Sequence, residues 1–466
     1  MSNFNSLYHF IPELLIVILL IFTVLIDLIP ARKHLAYKVS LAGLIMVLFL
    51  LPLQYGTNKS IFMDLIIVDS FALFFKWIFV LTTAIIIAIS KYSVEIPKDY
   101  FGEYIALLLM ILLGMFLMSS SINLLIIYLS VELVSIPSYI LAGIKKNSKE
   151  SNEASLKYVI FGSFASAIML FGLSWLYGIS GSTNFADIQN SLLISKNPYF
   201  IYMSLIFILV GFGYKISVVP FHYWTPDVYE GSPTPVTAFF SIAPKAAGIA
   251  ILIRTFYTLF TFESNPLFNV EWTYIFAVLS ALTMTIGNFL ALNQHSVKRL
   301  LAYSSISHVG FMLIGFTSIG IKSLESVLLY VFIYFFMNLS VFMIAIIVNI
   351  NDDAENIDDY AGLGYKRPLI SAFMVISLVS LAGLPPTAGY IGKFYLLANL
   401  FRDQAFYWLA IIAIINSVVS LYYYFKIIKS MYFVDPVNLS GNSVVEVDYR
   451  IKWIAIILSA QSILFY

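Results

Sequence analysis

Residues 211–235 read GFGYKISVVPFHYWTPDVYEGSPTP, so four prolines, three glycines and a lysine crowd into one stretch. Proline has no backbone N–H and its ring clashes with the preceding helical turn, so a continuous helix is disfavoured here. Residues 381–392, LAGLPPTAGYIG, contain two adjacent prolines and three glycines and have the same character. Both stretches lie between long apolar runs, and the sequence therefore predicts two interrupted helices.

The composition places these helices in a membrane. Of the 466 residues, 61% are hydrophobic and 11% are charged, whereas soluble domains carry about 25% charged residues. At ~20 residues per span, the length allows roughly fourteen transmembrane helices. The chain contains no cysteine, which excludes disulfides and cysteine-ligated zinc or iron–sulfur clusters within it.

Apolar segments recur along the whole chain. They lie near residues 10–29, 39–55, 70–90, 102–119, 121–143, 154–180, 200–219, 234–260, 272–292, 296–320, 323–350, 368–400, 404–430 and 451–466. The first is long enough to span and follows a stretch without Lys or Arg, so it is predicted to be a helix rather than a removable signal peptide. The fold class is therefore all-α: a polytopic membrane protein of about fourteen transmembrane helices, two of them broken. Broken backbone at membrane depth requires cover by protein or a water-lined cavity.

Basic residues are distributed unevenly between the loops. If the N-terminus lies outside and every segment spans, one set of loops carries seventeen Lys and Arg and the opposite set carries four. Positive charge favours the inner side, so both termini are predicted to be outside. Lys76 and Arg254 lie inside apolar segments and are expected to snorkel to the headgroups.

Four ionisable residues remain in the middle of spans: Lys215, Lys245, Lys393 and Glu132. Such a group costs at least ~2.5–3.5 kcal/mol and usually marks an ion or proton route. Burial disfavours the charged form of a lysine, so a buried lysine can load and release protons near neutral pH. A carboxylate favours the charged form, and a Glu132–Lys215 pair that tightens or loosens would switch the lysine between holding and passing its proton.

Other readings remain open for each of these residues. A single buried lysine often merely neutralises a buried acid, although Glu132 is the only obvious acid in the middle of a span. His308 shares its segment with several serines, and a polar helix–helix contact is about as probable there as a proton relay. Lys157 lies near a helix start and would ordinarily be a solvated positive charge.

Several kinds of site are absent from the sequence. No His, Asp and Glu cluster has metal-ligand spacing, and no Walker sequence or nucleophile elbow occurs. The chain does not drive its own reaction by nucleotide hydrolysis.

Four segments resemble the subunit N family of bacterial NADH-quinone oxidoreductase, the antiporter-like membrane subunits of respiratory complex I. They are YLSVELVSIPSYILAG, PFHYWTPDVYEGSPTPVTAFFSIAPKAA, NQHSVKRLLAYSSISHVGFMLIG and DDYAGLGYKRPLISAFMVISLVSLAGLPPTAGYIGKFYL. The resemblance extends over nearly the whole chain.

The resemblance implies roles for particular residues. The family's fifth-helix glutamate matches Glu132, its seventh-, eighth- and twelfth-helix lysines match Lys215, Lys245 and Lys393, and its sixth-helix lysine matches Lys157. It also implies two inverted five-helix repeats. The implied domains are helices 1–3 at 1–100, a first repeat at 101–260, a second repeat at 261–430, and a loop with a C-terminal helix at 431–466.

The resemblance further implies a proton-translocating, non-redox subunit of an enzyme in the bacterial inner membrane. NADH, FMN, iron–sulfur clusters and quinone would belong to partner subunits, and the neighbours would include subunits M, K and J and the lipid bilayer, but no nucleic acid. A change in the membrane arm would alter the Glu132–Lys215 pairing, pass a proton through Lys245 toward Lys393, and release it outside.

Two alternatives belong to other classes. A subunit of a multisubunit Na⁺/H⁺ antiporter would need oxygen-rich sodium coordination, which a lysine-rich path does not obviously provide. A structural scaffold would use the buried charges only to hold helices together, and neutralising them would then impair assembly rather than pumping.

Overall fold

The computed structural model describes residues 3–29, 33–194, 198–261, 266–352, 354–401, 404–435 and 449–462. Nearly all of this chain is helical. In chain order the elements are α1 Asn3–His9, α2 Ile11–Asp27, α3 Lys33–Leu50, β1 Lys59–Ile61, β2 Ile66–Val68, α4 Ser70–Ser90, α5 Phe101–Ser120, α6 Leu124–Ala142, α7 Lys149–Ser180, α8 Phe185–Ile194, α9 Pro198–Ile216, α10 Trp224–Gly231, α11 Thr234–Leu259, α12 Pro266–Leu292, α13 Val297–Leu313, α14 Ile321–Asp352, α15 Leu363–Lys366, α16 Pro368–Ala382, α17 Ala388–Leu400, α18 Tyr407–Phe433 and α19 Tyr449–Gln461.

The chain divides into two compact units. The first comprises Met1–Lys91, Glu95–Ile216 and Gly231–Phe268. Within it, α5 packs against α2, α4 and α6, and α7 packs along α9. The helix α11 contacts α4, α5 and α9 and is buried over almost its whole length. The innermost helix of this unit is therefore the one that carries Lys245.

The second unit comprises Tyr92–Val94, Ser217–Glu230 and Asn269–Tyr466. Its central helix is α14, which packs against α16, α17 and α19. The helix α13 contacts α14, α17 and α18 and is buried at nearly every position. Polar side chains on α13 therefore meet other side chains rather than lipid.

Eleven of the described helical stretches are long and apolar enough to cross a membrane. The chain is thus a multi-pass membrane protein, as the sequence predicted. The three other predicted spans form shorter helices: α2 has 17 residues, the segment 368–400 is split into α16 and α17, and α19 has 13 residues. Residues 436–448 and 463–466, part of the predicted C-terminal domain, lie outside the described residues.

A small hairpin departs from the all-α prediction. The strands β1 and β2 pair antiparallel, with Lys59 opposite Val68 and Ile61 opposite Ile66. Both isoleucines and Val68 are buried in a small apolar cluster. The β-branched residues at 66–68 favour a strand. A run of three residues is too short to show the alternating pattern that would distinguish a strand from a loop between two spans.

Both predicted helix interruptions occur, and both are narrower than the sequence suggested. The helix α9 continues through Gly211 and ends at Ile216, and α16 ends at Ala382 before α17 begins at Ala388. Gly211 serves packing instead of breaking the helix, because a Cβ there would lie 2.5 Å from the Met169 side chain. The prolines therefore interrupt the helices, whereas some of the nearby glycines permit close helix contact.

Candidate functional site

Lys215 lies in the last turn of α9 with its ammonium group directed at α6. Its side chain is 3% exposed, and Nζ donates a hydrogen bond to Ser135 Oγ at 3.0 Å. Ser135 follows Glu132 by three residues, so both lie on the same face of α6. The Glu132 carboxylate also interacts electrostatically with Lys215. The structure thus brings the two predicted residues together, with Ser135 as the direct contact.

The carboxylate of Glu132 has a buried oxygen that is not satisfied. Its Oε1 atom is buried and has no hydrogen-bond partner among the described residues. A buried acceptor left in this state is energetically unfavourable, by roughly 1–3 kcal/mol or more when it is charged. Glu132 therefore retains an oxygen at which an additional donor can bind.

Two tyrosine hydroxyls lie beside this pair and were not predicted. Tyr214 precedes Lys215, and its hydroxyl donates to the Tyr158 carbonyl at 2.9 Å. A Cβ on Gly162 would lie 1.9 Å from the Tyr139 hydroxyl oxygen and 3.0 Å from that of Tyr214. Glycine at this point of α7 therefore lets both hydroxyls approach the helix backbone. Nothing in the sequence distinguishes these tyrosines from the many others in the chain.

Lys245 lies in the middle of α11 with 2% of its side chain exposed. Pro244 precedes it inside the helix and removes the hydrogen bond that residue 244 would otherwise donate to Phe240. The start of α11 is fixed by Glu95, whose Oε2 accepts from Thr234 N at 2.7 Å while Oε1 accepts from Lys145 at 3.2 Å. A carboxylate at a helix N-terminus is favourable because unpaired N–H groups point toward it. Glu95 therefore holds the helix that carries Lys245.

Lys157 has a different environment from the three other lysines. Its side chain is 36% exposed and pairs at 2.7 Å with Glu153, one turn earlier on α7, which is 63% exposed. An exposed pair of this kind contributes about 0.3–0.5 kcal/mol in a helix. The exposure and pairing of Lys157 are those of a solvated surface charge and not those of a desolvated proton carrier.

Lys393 caps the second broken helix. Its side chain is 4% exposed, and Nζ donates to the carbonyl oxygens of Leu381 at 3.1 Å and Ala382 at 2.8 Å. These residues end α16, where carbonyls lack intrahelical partners and the helix dipole is negative. A third bond of 3.2 Å reaches Ser417 Oγ on α18. The break in the backbone therefore creates the binding site for the ammonium group.

A cavity of about 240 Å³ borders Lys393. Its walls are mainly apolar and come from both sides of the break and from α18, and they include Leu384, Tyr390, Ser417 and Val418. Tyr390 and Val418 in these walls are 38% and 61% exposed, so the cavity opens at the surface of the helices. The Lys393 side chain thus borders a mainly apolar crevice between the broken helix and α18.

His308 lies in a chain of buried hydroxyl groups in the second unit. Its Nδ1 is 2.7 Å from the Tyr330 hydroxyl oxygen, and its Nε2 is 3.2 Å from that of Tyr424. The Tyr424 hydroxyl is also hydrogen-bonded to Ser304 Oγ. The serine predicted near His308 is therefore in the same network, whereas the two tyrosines that join it come from distant sequence positions.

Two ion pairs overturn the expectation that Lys76 and Arg254 snorkel to the headgroups. Lys76 is fully buried, and its Nζ lies 2.6 Å from Oε1 of Glu13, which is 2% exposed. Arg254 makes a bidentate pair with Asp69, at 2.6 and 2.9 Å. The partner acids, Glu13 and Asp69, each lie near the start of another apolar segment. Both cations are therefore neutralised inside the protein and do not need to reach the lipid headgroups. The signal missed in the sequence was the acid one turn into the first span, Glu13.

Within the described residues, no group of three or more His, Cys, Asp and Glu side chains could hold a metal ion. The buried groups around Lys215, Lys393 and His308 are amines, hydroxyls, backbone carbonyls, the Glu132 carboxylate and one imidazole. This set is suited to holding and transferring protons.

Comparison with known proteins gives consistent results. Residues 121–420 match the family described as NADH:quinone oxidoreductase/Mrp antiporter, TM. The chain is 39% identical over 461 residues to NADH-quinone oxidoreductase subunit N of Anaeromyxobacter sp. strain Fw109-5, covering 93% of this chain and 89% of the relative. It is 43% identical over 433 residues to NADH-quinone oxidoreductase subunit N 2 of Chloroherpeton thalassium, covering 91% of this chain and 85% of the relative. A chain of respiratory complex I from Thermus thermophilus with bound aureothin superposes with a TM-score of 0.80 at 26% identity, covering 97% of this chain and 96% of that chain.

Proposed function

The chain belongs to the subunit N family of NADH-quinone oxidoreductase, a family of proton-translocating membrane subunits, and we propose that Glu132, Lys215, Lys245 and Lys393 carry its protons. The observation that supports this choice most strongly is the burial of three lysines, each at most 4% exposed, inside membrane helices. An uncompensated charge at that depth is costly, and such residues usually line ion or proton routes. His308 joins the proposal as a supporting residue because it is buried in a hydrogen-bond network. Lys157, which is partly exposed and paired with Glu153, joins it only through its match to the family's sixth-helix lysine.

In the first unit, Glu132 and Lys215 act as a switch. The Lys215 proton is stabilised by the charge of Glu132 and by the Ser135 oxygen. If Glu132 is neutralised at its unsatisfied Oε1, burial continues to oppose the ammonium form while its charged partner is lost. Lys215 then releases its proton, and Lys245 on the adjacent helix α11 is the next group of the same chemical type.

In the second unit, Lys393 holds the outgoing proton. The carbonyls of Leu381 and Ala382 and the hydroxyl of Ser417 satisfy the three N–H groups of its ammonium form. All three acceptors are neutral, so the ammonium is held without a counterion that would fix its charge. A small movement of α17 relative to α16 would remove these acceptors and favour release.

The driving energy comes from elsewhere in the enzyme. Moving one charge against 100 mV costs about 2.3 kcal/mol, and this chain has no nucleotide-hydrolysis sequence. We assign NADH, FMN, iron–sulfur clusters and quinone to partner subunits, so this chain takes part in the oxidoreductase as a non-redox subunit. Subunits M, K and J of the membrane arm are its proposed neighbours.

The finer architecture is part of the same proposal. We assign fourteen transmembrane helices, counting α2, the broken pair α16–α17 and α19 in addition to the eleven long spans. We further assign an inverted pair of five-helix repeats at 101–260 and 261–430, a bacterial inner-membrane location, and both termini on the outer side. The two breaks, at 217–223 and 383–387, support the repeat assignment, because a helix that carries a buried lysine adjoins each of them.

A Na⁺/H⁺ antiporter subunit is the second candidate, because the matching family also includes Mrp antiporters. Sodium requires several oxygen ligands in one place. The three oxygens that converge at the second break already bind the Lys393 ammonium group, and the relatives at 39–43% identity are named subunit N. Proton translocation is therefore favoured.

Lys215→Ala in the intact complex tests the residue assignment. In vesicles, NADH-driven proton pumping and quinone reduction are expected to fall by about tenfold or more, since a group that must accept and donate a proton has been removed. Assembly is checked by the amount of intact complex. The matched control is Lys322→Ala, which removes an exposed lysine at the start of α14.

Full retention of both activities in an assembled Lys215→Ala complex would remove this residue from the mechanism. Loss of the assembled complex itself would favour the scaffold reading. Pumping that requires added sodium would support the antiporter alternative.

A further inference from the structure

We propose that Ser304, Tyr424, His308 and Tyr330 form a proton relay within the second unit, leading to the helix that carries Lys393. This inference rests on the proposed proton-translocating function and adds residues to it. The four side chains come from α13, α14 and α18, and each is at most 3% exposed. Three consecutive hydrogen bonds join them.

Each member of the chain has the chemistry that a relay requires. A hydroxyl group can accept a proton on its oxygen while donating its own, and neutral imidazole has one protonated and one free nitrogen. A proton that enters His308 at Nε2 therefore releases the proton on Nδ1 to Tyr330. Each of the four groups gains one proton and loses one, and the neutral amine of Lys393 is the proposed acceptor of the proton that Tyr330 gives up. The four relay residues are therefore neutral after the transfer, and Lys393 carries the charge as an ammonium group.

The Tyr330 end of the relay approaches Lys393. The Tyr330 ring packs on α17 at Gly392, where a Cβ would lie 2.8 Å from Tyr330 Cδ2. The Phe311 ring lies near both groups: Lys393 Nζ is 4.8 Å from the centre of its ring, and the Phe311 and Tyr330 ring centres are 6.4 Å apart. Glycine next to Lys393 is thus what allows Tyr330 to reach this helix.

The opposite end is held in place by an amide network. The Tyr424 ring packs on the ring of Tyr423, with ring centres 4.4 Å apart, and the Tyr423 hydroxyl donates to Asn288 Oδ1 at 2.9 Å. Asn288 Nδ2 in turn donates to Asn416 Oδ1 at 2.9 Å. An amide nitrogen has no lone pair available to accept a proton, so this branch fixes α18 against α12 and does not extend the relay.

The relay is distinguishable from a polar contact that only joins helices. The conservative variants Tyr424→Phe and Tyr330→Phe each remove one hydroxyl and keep the ring. In assembled complex they are expected to lower NADH-driven proton pumping about tenfold and to raise its solvent deuterium isotope effect. Ser304→Ala is expected to act in the same direction, and Ser304→Thr, which keeps the hydroxyl, is expected to restore pumping.

Tyr334→Phe is the matched control. The Tyr334 ring contacts the same imidazole, with ring centres 5.3 Å apart, but its hydroxyl bonds with Ser305. This variant is expected to pump at close to the wild-type rate. Wild-type pumping in both Tyr424→Phe and Tyr330→Phe would overturn the relay, as would a loss explained entirely by a smaller amount of assembled complex.

A parallel Lys393→Met variant separates this inference from the function on which it rests. If Lys393→Met abolishes pumping and the tyrosine variants do not alter it, the relay is wrong and the proposed function stands. If Lys393→Met pumps normally, the lysine assignment itself fails.

Discussion

Lys393 Nζ donates a 2.8 Å hydrogen bond to the carbonyl oxygen of Ala382, the last residue of the helix that precedes the second break. The Lys393 site therefore depends on the interruption, because in a continuous helix the Ala382 carbonyl would accept a backbone hydrogen bond from the next turn. Gly383 completes this site: its φ is +83°, and a Cβ there would lie 2.8 Å from Lys393 Cδ.

Gly383→Ala is expected to lower both the stability of the complex and its pumping. Alanine in the left-handed region costs roughly 1–2 kcal/mol, and its methyl group would displace the Lys393 side chain. Thermal inactivation of the purified complex and proton pumping in vesicles measure the two effects. Gly178→Ala is the control, because it lies inside α7 with open space around it and is expected to be neutral or slightly stabilising. Equal behaviour of the two variants would contradict the role of Gly383.

Ser135→Ala is expected to reduce pumping several-fold while leaving assembly intact. The substitution removes the hydroxyl that accepts from Lys215, so the ammonium form loses a stabilising partner inside the membrane. The comparison is with Ser138→Ala, about one turn farther along α6, where the hydroxyl donates to the Val134 carbonyl. A similar decrease in both variants would mean that the effect comes from the helix and not from Lys215.

Replacing one member of the Glu13–Lys76 pair is expected to destabilise the first unit more than replacing both members together. Glu13→Gln or Lys76→Met leaves one buried charge without its partner, at a cost of about 3–5 kcal/mol. The double variant, Glu13→Leu with Lys76→Met, leaves no unpaired charge and is expected to recover most of the loss. The yield and thermal midpoint of the assembled complex decide this, and additive losses in the double variant would refute it.

Asp69 has two separable contributions to stability. Its carboxylate accepts from Ala72 N as the N-cap of α4 at 2.8 Å and also pairs with Arg254. Asp69→Asn keeps a good N-cap and loses the ion pair, whereas Asp69→Ala loses both. Alanine is therefore expected to cost about 1 kcal/mol more than asparagine in the thermal stability of the complex. Identical midpoints for the two variants would show that the cap contributes nothing.

The sequence by itself determined the membrane class, most of the spans and the two interruptions. Long apolar runs specify helices at any position in a bilayer because the backbone must satisfy its own hydrogen bonds. Clusters of proline and glycine interrupt these helices, whereas the single prolines Pro137 and Pro244 lie inside them. It also singled out Lys215, Lys245 and Lys393, since a charge in an apolar run is conspicuous without knowledge of its surroundings.

Only the tertiary structure decided which residues are partners. Lys76 and Arg254 looked like snorkelling residues, yet acids on other helices, Glu13 and Asp69, bind them. The tyrosines that join His308 lie 22 and 116 residues from it, and a tyrosine in a span has the same pattern whether it faces lipid or another helix. Pairing depends on how helices pack, and that information resides in contacts between distant segments, which no local pattern in the sequence records.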